Sequence, residues 1–336
     1  MSPESSPLPR QKIAVIIPCF RVRDFIVGVV NNALDVADYV IAVDDACPER
    51  SGDHLEQSVR DPRVRVLRHE KNQGVGAAMV TGFQAALLTD AGIFVKMDGD
   101  GQMETRWLPR LVEPLLLGTA DFTKANRFYD LAALGAMPAV RRIGNFGLTF
   151  LAKAASGFWH ISDPTNGYVA IRRGALEILD VGSLHKRYFF EIGLLIQLNI
   201  IRAVARDVPV PARYDNGPSS LDPLKILFSF PPKLVAGLAR RIWWRYFVYD
   251  INMVTLFLVT GTLLLLGGGV FGAVKWAENF ATGGDHPAGT IALAMLPVVL
   301  GFQLLLQALV LDVIDKPEEP LSNLMVSSLP TRRGTG

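Results

Sequence analysis

Hydrophobic and polar positions divide the chain into two regimes. From Lys12 to about residue 210, apolar runs of strand length alternate with helical stretches. Lys12–Cys19, KIAVIIPC, is a continuous apolar run closed by Pro18 and predicts a strand buried on both faces. Arg23–Val36 predicts the next helix, and Tyr39–Val43 a second strand that ends at Asp44 and Asp45. Asp53–Ser58 predicts a short helix, Val64–Leu67 a third strand, Gly76–Thr89 an alanine-rich helix, and Ile93–Met97 a strand that runs into Asp98. Beyond it the pattern is less regular. Asp121–Thr123 reads as a strand end, Ile143–Ala155 as a helix, Gly167–Ile171 as a return to the sheet, and Ile200–Pro209 as the site of a late strand. Such alternation predicts a largely parallel α/β sheet covered on both faces, with ligands beyond the carboxyl ends of its strands. Pro18, Asp44, Asp45, Asp98 and Asp100 all fall at that edge.

The second regime begins near Leu221. From Leu221 to Tyr249, Phe228, Phe230, Leu234, Leu238, Trp243, Trp244, Tyr246 and Phe247 mix with basic residues, which predicts one or two amphipathic helices at a membrane interface. Between Asp250 and Lys275 lie 24 residues without Asp, Glu, Lys or Arg, and between His286 and Asp312 lie 25 more. At about 1.5 Å per residue each run can cross a hydrocarbon layer of roughly 30 Å as a helix. The expected organisation is a leader over 1–11, a catalytic domain over 12–220, interfacial helices over 221–249, two membrane spans over 250–312 and a tail over 313–336. Lys233, Arg240, Arg241 and Arg245 precede the first span, which with the polar Pro/Ser-rich leader predicts that both termini lie on the cytoplasmic side. The Gly-rich first span is an expected contact surface for a homo-oligomer.

Composition narrows the function classes. Half of the 336 residues are hydrophobic, and 34 Lys+Arg against 32 Asp+Glu leave a net charge of +2. This excludes a disordered chain and gives no reason to expect a nucleic-acid partner. Two cysteines, Cys19 and Cys47, exclude a disulfide-framed miniprotein and a four-cysteine zinc site, and both read as buried small hydrophobes.

The sharpest candidate chemistry is Lys96-Met97-Asp98-Gly99-Asp100-Gly101-Gln102. Two carboxylates two residues apart in a glycine-containing turn can both face one hard cation, with Gln102 as a further oxygen ligand. A cation held there would neutralise a diphosphate leaving group. Asp44 and Asp45 can accept hydrogen bonds from a ribose or base, or cap the following turn. Asn72-x-Gly74-x-Gly76 opens a helix without the GKS/GKT of a nucleoside triphosphatase loop, and no GxGxxG follows the first strand, which disfavours a nicotinamide dehydrogenase. Lys124, Arg127, Arg141, Arg142, Lys186, Arg187 and Arg213 supply cations suited to phosphate groups.

Several stretches in order resemble a known family: VIIPCF at 15–20, VDDACPERSGD at 43–53, NQGVGAAMVTGFQAAL at 72–87, KMDGDGQM at 96–103, DPTNGY at 163–168 and VPVPARYDNGPSSL at 208–221. The chain resembles the family 2 glycosyltransferases of the polyprenyl-phosphate (dolichol/undecaprenyl-phosphate) sugar transferase kind, similar to dolichol-phosphate mannose synthase. The likeness covers about residues 12–225, and the two C-terminal spans match the membrane-anchored subgroup. It implies a GT-A fold and transfer of one hexose from a UDP- or GDP-sugar to polyprenyl phosphate at the cytoplasmic face of a bacterial inner membrane. It also implies a nucleotide-sugar site at Pro18, Asp44, Asp45, Asp98 and Gln102, and a Mg²⁺ or Mn²⁺ site at Asp98, Asp100 and Gln102. Arg127, Arg141, Asn145 and Arg213 would meet the acceptor phosphate, and Asp163–Tyr168 would shape the sugar and acceptor pocket. Relatives often show Ser-Lys where this chain has Ser219-Ser220, so a lysine clamp there is not expected. Two alternatives stand beside this reading: a processive polysaccharide synthase, and a non-catalytic nucleotide-sugar-binding membrane protein. Gln102–Trp107 imitates the QxxRW stretch of processive synthases but lies too close to the aspartates to serve as one.

Overall fold

A computed structural model describes residues 11–129, 139–211, 223–283 and 287–321. The chain divides into two units, residues 1–238 with 317–336, and residues 239–316.

In the first unit, strands and helices alternate as the apolar pattern predicts. β1 (Ile13–Cys19), α1 (Arg23–Leu34), β2 (Tyr39–Asp44), α2 (Ser51–Ser58), β3 (Val64–Arg68), α3 (Val75–Leu87) and β4 (Ile93–Lys96) follow one another with short connections. Then come α4 (Leu108–Leu116), β5 (Phe122–Asn126), α5 (Ala139–Ser156), β6 (Val169–Arg172), α6 (Arg173–Ile178), α7 (Phe190–Ile200), β7 (Ala205–Pro209) and α8 (Pro223–Trp243). The seven strands form one sheet in the order β3-β2-β1-β4-β6-β5-β7. β1, β2, β3 and β4 pair in parallel, as do β5 and β7, while β6 runs antiparallel to both of its neighbours. The carboxyl ends of β1, β2, β4 and β5 and the amino end of β6 therefore share one edge.

The central strands are apolar throughout because both faces are covered. On one face Ile16, Val43, Phe94 and Phe122 pack under α3, α6 and α7. On the other, Val15, Ile17, Val95 and Ala125 pack under α1, α2 and α4. Cys19 and Cys47 are buried free thiols. Three helices, α4, α6 and α7, have no counterpart in the pattern reading. In α7 every residue except Glu191 is buried, and a helix covered on all sides carries no 3.6-residue period to detect. α8 is a single helix through Pro231 and Pro232. Its Phe230 and Leu234 pack against Ala152, Ala155, Ile192 and Ile196, so this stretch of the predicted interfacial segment docks on the sheet unit. Leu321 also belongs to this unit: its N–H donates to both carboxylate oxygens of Asp121 at 3.0 Å.

In the second unit, a π-helical turn, Trp244–Tyr249, is followed by α9 (Met253–Thr282) and α10 (Ala288–Ile314). Both long helices are apolar enough to cross a membrane, with a mean hydropathy of 2.1 in their most apolar windows, and both are largely exposed. α9 starts where Asn252 caps it, with Oδ1 accepting from Val254 N at 2.9 Å. It also outruns the apolar stretch, through Lys275 and Glu278, which pair at 2.6 Å one turn apart. The two helices approach closely at glycines. A Cβ on Gly301 would lie 2.7 Å from the Gly261 carbonyl oxygen, and one on Gly268 3.0 Å from that of Ala294, whereas Gly267 and Gly269 face open space. At the end of α10, Asp312 accepts two bonds from Arg241, at 2.6 and 2.8 Å, and one from the Tyr246 hydroxyl.

Candidate active site

The shared sheet edge gathers most of the predicted site residues. Pro18 is the penultimate residue of β1, in register with Val43 of β2. Asp44 ends β2, and its carboxylate accepts from Cys47 N and Gly52 N, both at 2.7 Å. A Cβ on Gly52 would lie 2.7 Å from Asp44 Oδ2, so only glycine admits this contact without displacement. Asp45 reaches the loop before α3: Oδ1 accepts from Gln73 N at 2.9 Å and Oδ2 from Gly74 N at 2.7 Å. His69 Nδ1 lies 2.7 Å from the same Oδ1, and its Nε2 lies 2.9 Å from Thr81 Oγ1. Both aspartates are buried. All four carboxylate oxygens thus accept backbone N–H groups, from the turn that leads into α2 and its first residues and from the loop before α3, and these residues hold both connections whatever else they touch.

Asp98 and Asp100 follow β4 in a tight turn. Asp98 Oδ1 accepts from Lys96 Nζ at 2.6 Å, and Asp100 Oδ1 accepts from Gln102 N at 3.0 Å. The Oδ2 atom of each has no hydrogen-bond partner among the described residues. Burial pushes the Asp100 carboxyl above the usual range, and the neighbouring Asp98 charge adds to the shift. This is the donor set that a hard dication relieves: two crowded carboxylates, each with one anchored and one unengaged oxygen. No group of three or more His, Cys, Asp or Glu residues suited to a metal occurs among the described residues. Asp98 and Asp100, with Gln102 exposed beside them, are therefore the residues that fit such an ion, and its remaining ligands would come from substrate and water.

Beneath this turn lies a buried charge layer that the motif reading did not anticipate. Lys96 of β4 and Lys124 of β5 both stand in register with Val169 of the intervening β6. They project on the same face of the sheet, about 9.5 Å apart by strand spacing. Both are essentially inaccessible to solvent. Glu191, the one charge on α7, lies 3.5 Å from Lys96 Nζ. Burial alone would lower the Lys96 pKa, but the contacting Asp98 and Glu191 outweigh it and hold the ammonium above its ordinary value. Lys124 has a carbonyl partner, Asn166 O. Burial dominates there, only partly offset by Glu191 and Asp163, and brings its pKa down to about 8. Gly167 makes room for this layer, since a Cβ there would lie 2.3 Å from Lys96 Nζ and 3.1 Å from Asp98 Oδ2. The detectable signal was a lone charge inside each of three apolar runs, IFVK, FTKAN and FFEIGLL.

Arg127 follows β5 and grips Asp163 with two bonds, Nε to Oδ2 at 2.7 Å and Nη2 to Oδ1 at 3.2 Å. Asp163 is fully buried, while 40% of the Arg127 side chain stays exposed at the edge. The 163–168 stretch is thereby fastened on one side to Arg127, and on the other by Asn166 Nδ2 donating to Ala125 O at 2.7 Å. Arg141 and Asn145 lie one turn apart on α5, so they share a helix face, but their side chains are outside the described residues. Arg213 also lies outside them.

Residues 14–179 match the glycosyl transferase family 2 model. The polyprenol monophosphomannose synthase of Mycolicibacterium smegmatis is 31% identical over 198 residues, 55% of this chain and 71% of that protein. The UDP-N-acetylglucosamine–dolichyl-phosphate N-acetylglucosaminyltransferase of Methanococcus voltae is 27% identical over 190 residues, 52% of this chain and 75% of that protein. Among solved structures, glucosyl-3-phosphoglycerate synthase from Mycobacterium tuberculosis, in complex with Mn²⁺, uridine diphosphate and phosphoglyceric acid, superposes with a TM-score of 0.51. It is 21% identical and the match covers 69% of this chain and 78% of that one. The mixed sheet is GT-A-like. A crowded aspartate pair at the edge of that sheet, and sequence identity running through most of its strands, make the chain a member of glycosyl transferase family 2.

Proposed function

We propose that this protein transfers a single hexose from a nucleotide sugar to polyprenyl phosphate at the cytoplasmic face of a bacterial inner membrane. The observation that carries the reading is the presence, in one chain, of a family 2 sheet with an unsaturated aspartate pair and of two long, exposed apolar helices. Relatives that act on dolichyl phosphate or are named for polyprenol support the acceptor class. Two apolar helices make an even number of crossings, and the basic residues Lys233, Arg240, Arg241 and Arg245 ahead of them support a cytoplasmic placement of both ends.

In this reading Pro18, Asp44 and Asp45 frame the nucleoside pocket, the last two through the loops they hold. Asp98 and Asp100 would bind Mg²⁺ or Mn²⁺, with Gln102 beside them, and the ion would offset the charge that builds on the departing diphosphate. Lys96 holds Asp98 Oδ1, which leaves Oδ2 to face the ligand. Arg127, braced by Asp163, and Arg141, Asn145 and Arg213 orient the acceptor phosphate and offset phosphate–phosphate repulsion. One phosphate oxygen attacks the anomeric carbon, the bond to the diphosphate oxygen breaks in line, and the configuration inverts. The acceptor is already anionic near neutral pH, so no strong side-chain base is required.

The test uses the full chain in detergent with a panel of labelled UDP- and GDP-hexoses and short-chain undecaprenyl phosphate, read by mass analysis of the lipid product. One sugar per lipid, lost with Asp100→Ala in folded protein, is the expected result. A polymer would establish a processive synthase, and binding without turnover for every donor would establish a non-catalytic binder.

A further inference from the structure

The fold gathers cations at a second place. A cleft of about 400 Å³ opens between the loop before α3, the segment that enters α7, and α8. Lys71, Lys186, Arg187 and Lys233 line it, and among the described residues no acidic one does. Lys186 and Arg187 are among the cations that the sequence marks as suited to phosphate, while Pro18, Asp44, Asp45, Asp98, Asp100, Gln102 and Arg127 are not in the described lining. Among the described residues, none of these four cations has a carboxylate partner. Several basic side chains elsewhere are paired: Lys12 with Asp90, Arg63 with Asp61, Arg68 with Asp53 and Glu56, and Arg173 with Glu177. Four like charges around one concave space, without a carboxylate partner among the described residues, create a positive potential that draws in an anion.

The walls are built to hold that arrangement. Ala77 N donates to the Lys186 carbonyl at 3.0 Å. A Cβ on Gly76 would lie 2.0 Å from the His185 carbonyl oxygen, and one on Gly74 2.6 Å from that of Lys186, so the two segments meet backbone to backbone where only glycine fits. On the far wall, the His185 ring packs edge-on against Phe189 at 4.7 Å, and Phe189 edge-on against Phe230 at 5.4 Å. The Lys233 ammonium stands 6.0 Å over the Phe189 ring, which keeps it at the cleft. Side-chain amides of Asn72 and Gln73 add hydrogen-bonding groups to the lining.

We propose that this cleft is a binding site for a phosphate-bearing anion, additional to the site around Asp98 and Asp100. Lysine and arginine together suit phosphate, the first as point charges and the second as a planar fork. The phosphate can come from a soluble phosphate compound or from an anionic lipid headgroup, since both present the same oxygens.

The test is calorimetric titration of inorganic pyrophosphate into the full chain in neutral detergent, with EDTA present so that the aspartate pair carries no cation. The double variants Lys186→Gln/Arg187→Gln and Lys71→Gln/Lys233→Gln keep side-chain length while removing charge. Each is expected to weaken binding at least tenfold and to flatten its dependence on salt. Lys12→Gln and Asp100→Ala are expected to leave it within twofold or, for the latter, to strengthen it. Equal affinity in wild type and both double variants, or no pyrophosphate binding by the wild type, overturns the site. Adding phosphatidylglycerol rather than phosphatidylcholine to the micelles distinguishes the sources: competition with pyrophosphate marks a lipid headgroup, and its absence a soluble phosphate. Because no donor or acceptor is present, lost sugar transfer with intact pyrophosphate binding would count against the transferase reading alone.

Discussion

Replacement of Lys96 by methionine tests the physical core of the site. The substitution keeps the volume and removes the ammonium that Asp98 and Glu191 share. At an effective dielectric constant near 20, an opposite charge 3.5 Å away, as for Glu191, is worth about 5 kcal/mol before desolvation is counted. The contact with Asp98 is shorter, at 2.6 Å, but 35% of that side chain is exposed and its share is screened. Breaking a buried pair by removing one partner costs about 3–5 kcal/mol. For a unit of this size that lowers the thermal midpoint by about 6–20 °C. Glu191→Met should cost only about 1–2 kcal/mol, because Lys96 keeps Asp98. The double variant should cost less than the sum of the two, by about 1–3 kcal/mol. Thermal unfolding of the four proteins in the same detergent measures this cycle. Additivity within about 0.5 kcal/mol, with a Lys96→Met shift below about 2 °C, would refute the shared-counterion account.

Lys124 sets a pH signature. Its pKa is about 8 in the folded chain against 10.5 ordinarily, so between those values the unfolded chain holds a proton the folded one has released. Stability should therefore rise from pH 8 to 10.5 by about 3 kcal/mol, and thermal midpoints of Lys124→Met across that range should lack the rise. Gly76→Ala drives a methyl group into a backbone carbonyl and should lower the midpoint by several degrees. Gly28→Ala, exposed within α1 with open space around it, should raise stability by about 0.5–1 kcal/mol. In the second unit, Asp312→Ala takes the two-bond partner from Arg241, which is 1% exposed. It should cost about 3–5 kcal/mol, seen as faster proteolysis of the hairpin in detergent.

The pattern of apolar runs sufficed for the frame of this protein. Continuous runs such as AVIIP and VIAV fit strands inside a covered sheet, and two stretches of 24 and 25 residues without Asp, Glu, Lys or Arg are long enough for apolar helices, which is what the fold shows. The Asp98–Gln102 turn was legible for the same reason: its residue types and spacing are local, and local chemistry survives in one dimension. Tertiary structure alone decided what surrounds it. Lys96, Lys124 and Glu191 are far apart in the chain. They meet because β6 inserts antiparallel between β4 and β5 and sets both lysines beside Val169. The cleft of Lys71, Lys186, Arg187 and Lys233 likewise exists only once two glycines let separate segments touch. Periodicity reports which side of an element is buried. It carries no record of which distant charge will be found there, because that depends on strand order and register.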